Sequence, residues 1–209
     1  MASETVATKR ARKPKARKFY RVGPDSRLTG PIGFGLQNQE VLAQGRQILT
    51  PSPGGRGFRP YPETPRLLID KRRGRAPFDL ESCNAYWLIS DRTKKVFEAA
   101  DAEAFGYVRC DVQFADGTVG PEYWLCDVLR ILDAVDETKS RLKIYEDQAG
   151  KVYSLMGGAS IAFKADVVRL AHIFRPVHYE VATFCDQQFK DACKAAGLKG
   201  IAFKEAAEL

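Results

Sequence analysis

The sequence predicts an α+β fold: a mostly antiparallel sheet with a few short helices packed on it, and a loop-rich N-terminal arm. Three observations lead there. Strand-like and helix-like stretches follow one another without regular alternation, which disfavours a doubly wound parallel sheet. Glycine and proline interrupt every periodic run between Phe19 and Pro65, so that region reads as extended chain lying over a core. The stretch Phe105 to Phe114 alternates apolar and polar residues as a half-buried strand does. The 209 residues, 44% hydrophobic and 28% charged, suffice for one domain, or one domain with an appendage, that buries roughly 70% of its unfolded surface. Three parts are expected: a disordered basic tail at 1–18, a Gly/Pro-rich arm packed on the core at 19–75, and an α+β core at 76–209.

The tail comes first. Lys9, Arg10, Arg12, Lys13, Lys15, Arg17 and Lys18 stand there against Glu4 alone. They account for all but one unit of the formal net charge of +7. Dense like charge without large apolar residues cannot offset the entropy of ordering, so disorder is expected. The remainder of the chain is close to neutral, without the basic face of a dedicated nucleic-acid binder. Nucleic acid is therefore a partner only through the tail, and a nucleic-acid-associated protein is the competing functional class.

Within the arm, Gly30 to Gly35 (GPIGFG) lacks the spacing of a phosphate-cradling loop. Leu67 to Asp70 reads as a short strand, followed by the basic turn Lys71, Arg72, Arg73 and Arg75 around Gly74. Ala85 to Ile89 reads as a buried strand, and Ser90 then offers an N-cap to a helix whose inward stripe is Thr93, Val96, Phe97 and Ala100. In the alternating strand, Val108, Cys110, Val112 and Phe114 point one way, and Tyr107, Arg109, Asp111 and Gln113 the other. Asp116-Gly117 turns the chain.

Tyr123 to Asp136 (YWLCDVLRILDAVD) carries the largest apolar block. Trp124, Val128, Ile131, Leu132 and Val135 fall at helical spacing, which predicts a half-buried central helix with Asp127, Arg130 and Asp133 on its solvent side. Asp133, Asp136 and Glu137 form an acidic shoulder at its end. Arg141 to Glu146 and Lys151 to Met156 read as a hairpin, Asp166 to Leu170 as one helical turn, and Pro176 forbids a long helix nearby. Thr183 is expected to cap a helix through Cys185, Phe189, Ala192, Cys193 and Ala196, which Gly197 ends before a last strand at Ile201 to Phe203.

No catalytic constellation is expected. There are two histidines, His172 and His178, and no paired thiolate spacing, whereas zinc needs three or four ligands. Neither metal nor cofactor is expected. The five cysteines, odd in number and without CxxC spacing, read as small buried hydrophobes of a reducing compartment. No apolar run approaches membrane-helix length and no secretory h-region is present, so the chain is expected in the cytoplasm without membrane partners.

Several segments together resemble immunity protein family eleven of bacterial polymorphic toxin systems. They are Tyr86 to Asp91 (YWLISD), Tyr123 to Leu125 running into Val128 to Arg130 and Leu132-Asp133, Ile173 to Arg175, and Thr183 to Phe203 with its AAGLKGIAF ending. The resemblance covers about Tyr86 to Phe203. It implies an antitoxin that binds and neutralises a cognate toxin effector by stoichiometric protein-protein binding, with no catalytic residues. The expected toxin-facing surface is the outward side of the alternating strand, Tyr107, Arg109, Asp111 and Gln113, together with Asp133, Asp136 and Glu137. Charge complementarity and aromatic or arginine anchors are what tight inhibitors use.

Overall fold

A computed structural model describes residues 17–52, 55–148 and 150–209. Most of the expected tail lies outside these residues, but Arg17 and Lys18 are tied into the fold, bonding Asp186 and Glu205. Among the described residues are fourteen strands and four short helices in several mostly antiparallel sheets, and the α+β class is what the structure shows.

Strand β1 (Phe19–Pro24) departs from the expected arm. It is interior to a five-stranded sheet, antiparallel to β13 (Thr183–Asp186) on one side and to β14 (Ile201–Glu205) on the other. The sheet continues through β12 (Ile173–Pro176) to β9 (Ile131–Leu132), a parallel pair. The motif FYRV alternates: Tyr20 and Val22 are buried and Arg21 is exposed. Glycine and proline enter only at its end, so the punctuated composition of residues 19–65 hid a strand.

The rest of the arm packs as a layer. Strand β2 (Phe34–Leu36) and helix α1 (Gln39–Ala43) precede β3 (Arg66–Ile69), which runs parallel to β7 (Asp111–Phe114). Leu42, Leu49, Leu67 and Ile69 are buried there against Tyr86, Leu88 and Leu125. GPIGFG is a chain crossing: a Cβ on Gly33 would lie 2.3 Å from the Asp70 carbonyl oxygen, and one on Gly74 2.3 Å from that of Pro31. Only glycine permits that approach.

Between these layers lies a four-stranded antiparallel sheet in the order β4 (Leu80–Cys83), β5 (Tyr86–Ser90), β8 (Tyr123–Val128), β6 (Phe105–Arg109). Residues 123–136 are therefore not a helix. Tyr123 and Leu125 face one core, and Cys126 and Val128 the other. A strand covered on both faces carries a continuous apolar run, which periodicity cannot separate from a buried helix. The chain then crosses to the five-stranded sheet as β9. Arg130, expected toward solvent, is only 20% exposed in its side chain and binds Asp101.

The alternating stretch is likewise two strands, broken at Cys110, where the chain leaves β8 for β3. Helix α2 (Asp91–Asp101) starts as expected on Ser90, whose side chain accepts from Thr93 N. Its Phe97 meets Phe189 of helix α4 (Gln187–Ala195) at 5.0 Å between ring centres. The cap of α4 is Asp186, which accepts from Phe189 N at 2.9 Å. Thr183 instead belongs to β13, because residues 183–186 are fully buried between strands. Gly197, at φ +62°, ends α4 with Gly197 N donating to Lys194 O and Leu198 N to Cys193 O, a Schellman turn. The hairpin β10 (Lys143–Asp147) and β11 (Gly150–Ser154) forms where expected, as does the turn α3 (Ala165–Val168).

Candidate functional site

The expected toxin-facing residues are found in three separate places. Arg109, Asp111 and Gln113 border one groove of 250 Å³, together with Arg66, Glu122 and the 85% exposed Val119. Arg109 pairs with Glu122 across it, and Asp111 and Gln113 are exposed. Tyr107 does not join them. It precedes the break at Cys110 and packs against the core that holds Cys126 and Val128, with its ring 5.9 Å from Phe105 and Lys94 Nζ 5.0 Å from its centre. Its hydroxyl is buried without a hydrogen-bond partner among the described residues, and burial pushes its pKa well above the phenol value.

The acidic shoulder is neutralised locally. Asp136 accepts from Lys139 Nζ and Thr138 Oγ1, both at 2.7 Å, and the Lys139 bond holds its carboxyl down at about 2. Glu137 accepts from Tyr153 at 2.6 Å and from Lys151 at 2.9 Å, which also lowers its pKa, the Tyr153 bond most. Asp133 is exposed.

His172 Nδ1 lies 2.9 Å from Asp186 Oδ2, but that carboxylate is already shared with Arg17 and with the start of α4. His178 stands edge-on to Tyr153. Neither histidine lines the 580 Å³ cleft described below. All five thiols are unpaired. Burial pushes Cys83 up to about 11 and Cys110 and Cys193 up to about 12, so none is poised as a thiolate. Among the described residues no three His, Cys, Asp or Glu side chains converge as metal ligands, and no helix is long and apolar enough to cross a membrane.

A cleft of 580 Å³ opens between the five-stranded and four-stranded sheets. Sequence reasoning missed it, because it is assembled from β1, β13, β14 and β5 together with residues 56 and 175. Its deep wall holds Arg175, whose side chain is 6% exposed, and Arg56, at 11%; both reach Asp127 of β8, whose side chain is fully buried. Asp127 Oδ2 also accepts from Gly57 N at 2.7 Å, and Arg175 donates to the carbonyls of Val128 and Glu180. Burial, reinforced by Arg56, pulls the Arg175 pKa down to about 10. Asp127 had been expected on the solvent side of a helix. Its only sequence signal was a lone acid inside an apolar strand run.

No curated protein matches the chain. Residues 18–208 match the family model described as Immunity protein family (Imm11), a longer stretch than the motif resemblance covered, since it includes β1 and the layer of residues 34–69. With nearly its whole length matched, the chain belongs to this immunity protein family.

Proposed function

We propose that this protein is an antitoxin that neutralises one cognate toxin effector by stoichiometric binding in the cytoplasm of the cell that makes it. The observation that carries this reading is the family match over residues 18–208. Two features support it. The five unpaired thiols suit a reducing compartment. The groove bordered by Arg109, Asp111, Gln113 and Val119 offers charged and apolar contacts on one surface, which a partner interface requires.

The test is capture of partners from the source cell by the full chain, followed by expression of the captured protein alone and together with this chain. A partner that arrests growth alone, forms a one-to-one complex and is silenced by co-expression is the expected outcome. A captured protein that is harmless, or whose toxicity the chain does not relieve, overturns the reading. A chain lacking residues 1–16 is expected to protect equally. Recovery of nucleic acid through that segment alone would replace this reading with a nucleic-acid-associated one.

A further inference from the structure

We propose that the cleft between the five-stranded and four-stranded sheets is a docking site for an acidic peptide segment of the protein partner; the assignment of that segment to a partner rests on the antitoxin reading. Arg56 and Arg175 share the single carboxylate of Asp127, and all three side chains are almost wholly buried. The Glu180 carboxylate also acts on Arg175, but from the half-buried lining; the two buried guanidinium groups face one buried carboxylate, and a further carboxylate would improve that balance. The Arg56 Nε is buried and has no hydrogen-bond partner among the described residues.

At the cleft mouth, Arg21 of β1 stands directly opposite Lys204 of β14. Like charges in that position oppose folding. Both are exposed, and neither has an ion-pair partner among the described residues. Glu180 is the one acidic residue of the lining. A ligand bearing several carboxylates would relieve both ends of the cleft at once.

Size and shape favour a peptide. Two residues along the same ladder, Gly23 pairs with Ala202, so beside the cationic pair the sheet face carries no bulky side chain and leaves room for a main chain. The 580 Å³ of space falls in the roughly 300–1,000 Å³ range of sites that take substantial ligands, far more than one phosphate or carboxylate ion fills. Nucleic acid fits less well. The aromatic lining residues Tyr86 and Trp87 are 1% and 7% exposed and offer no stacking platform, and the chain beyond residue 18 is nearly neutral.

The test is fluorescence anisotropy of the full chain with a labelled octapeptide of alternating Glu and Gly, the same peptide with Gln for every Glu, and octathymidylate. The expected result is preference for the Glu peptide over the Gln peptide by about ten-fold or more. In an Arg21→Glu, Lys204→Glu double variant, checked for folding by circular dichroism, that affinity is expected to fall by about ten-fold. Arg73→Glu, an exposed reversal on another loop, should leave it unchanged. Equal binding of the two peptides, equal loss in the Arg73 variant, or tighter binding of octathymidylate each overturns the proposal. Growth protection with no peptide discrimination removes the cleft and leaves the antitoxin. Peptide discrimination with a harmless captured protein does the reverse.

Discussion

Asp127 shows how one side chain can hold two layers together and why a pattern of hydrophobicity misplaces it. On a helical projection it shares a side with Arg130 and Asp133 and reads as solvated. In the structure it is completely enclosed, bonding Arg56, Gly57 N and Arg175. Removing one partner of a buried ionic cluster strands the other charges, so Asp127→Ala is expected to destabilise the fold by about 3–5 kcal/mol in urea unfolding. A change below 1 kcal/mol would mean that the arginines are compensated by water. Asp136 makes a milder case, a half-buried carboxylate with an exposed lysine as its partner. Its folded pKa of about 2 lies below the unfolded value of 3.8, with the Lys139 bond as the largest cause. Its contribution to stability is therefore complete above about pH 4 and is lost as pH falls toward 2. Carbon NMR titration should find the Asp136 midpoint near 2, and Lys139→Ala should move it up toward 3.8; an unmoved midpoint would exclude the lysine as the cause.

At the scale of elements, what the sequence made legible was local, and what it concealed was set by neighbours. The Ser90 cap, the Asp116-Gly117 turn, the β10–β11 hairpin and the Gly197 stop all follow from short-range chemistry and are present. Residues 123–128 read as helix because both faces of the strand are covered, and that covering is a tertiary fact. Thr183 read as a cap because hydroxyls commonly cap helices, yet Asp186 three residues on makes the bond. Of the seven expected contact residues, Arg109, Asp111 and Gln113 share a groove, while Tyr107 turns inward at the strand break that alternation could not reveal. The Gly197 stop provides a clean test, since its φ of +62° disfavours any Cβ while a Cβ there meets only the far end of Arg92, at 4.0 Å. Gly197→Ala should therefore cost about 1–2 kcal/mol through backbone conformation alone. Gly197→Asn should recover part of that, because asparagine tolerates the left-handed region; equal loss in both variants would point to packing instead.

At the scale of the whole molecule, the question is where the folded body begins. Composition draws the line after Lys18, where the basic run ends, and treats the next residues as an arm. The structure places Arg17 and Lys18 within the folded body. The Arg17 side chain donates twice to Asp186 Oδ2 and once each to the carbonyls of Arg169 and Ala171, bridging β13 to the turn after α3. Lys18 meets Glu205 on β14. Immediately afterwards β1 supplies backbone bonds on both of its edges, so the five-stranded sheet has no continuity without it. Three truncations should therefore behave differently. Removal of residues 1–16 takes away charge without large apolar surface, and is expected to leave the urea midpoint close to that of the full chain. Removal of residues 1–18 also deletes the Arg17 bonds to the 5% exposed Asp186 side chain, and should cost about 1–3 kcal/mol, the range for charge-assisted bonds to a mostly buried group. Removal through Pro24 takes out an interior strand and should abolish cooperative unfolding. Identical midpoints for the first two truncations would show that the Arg17 and Lys18 bonds contribute nothing net.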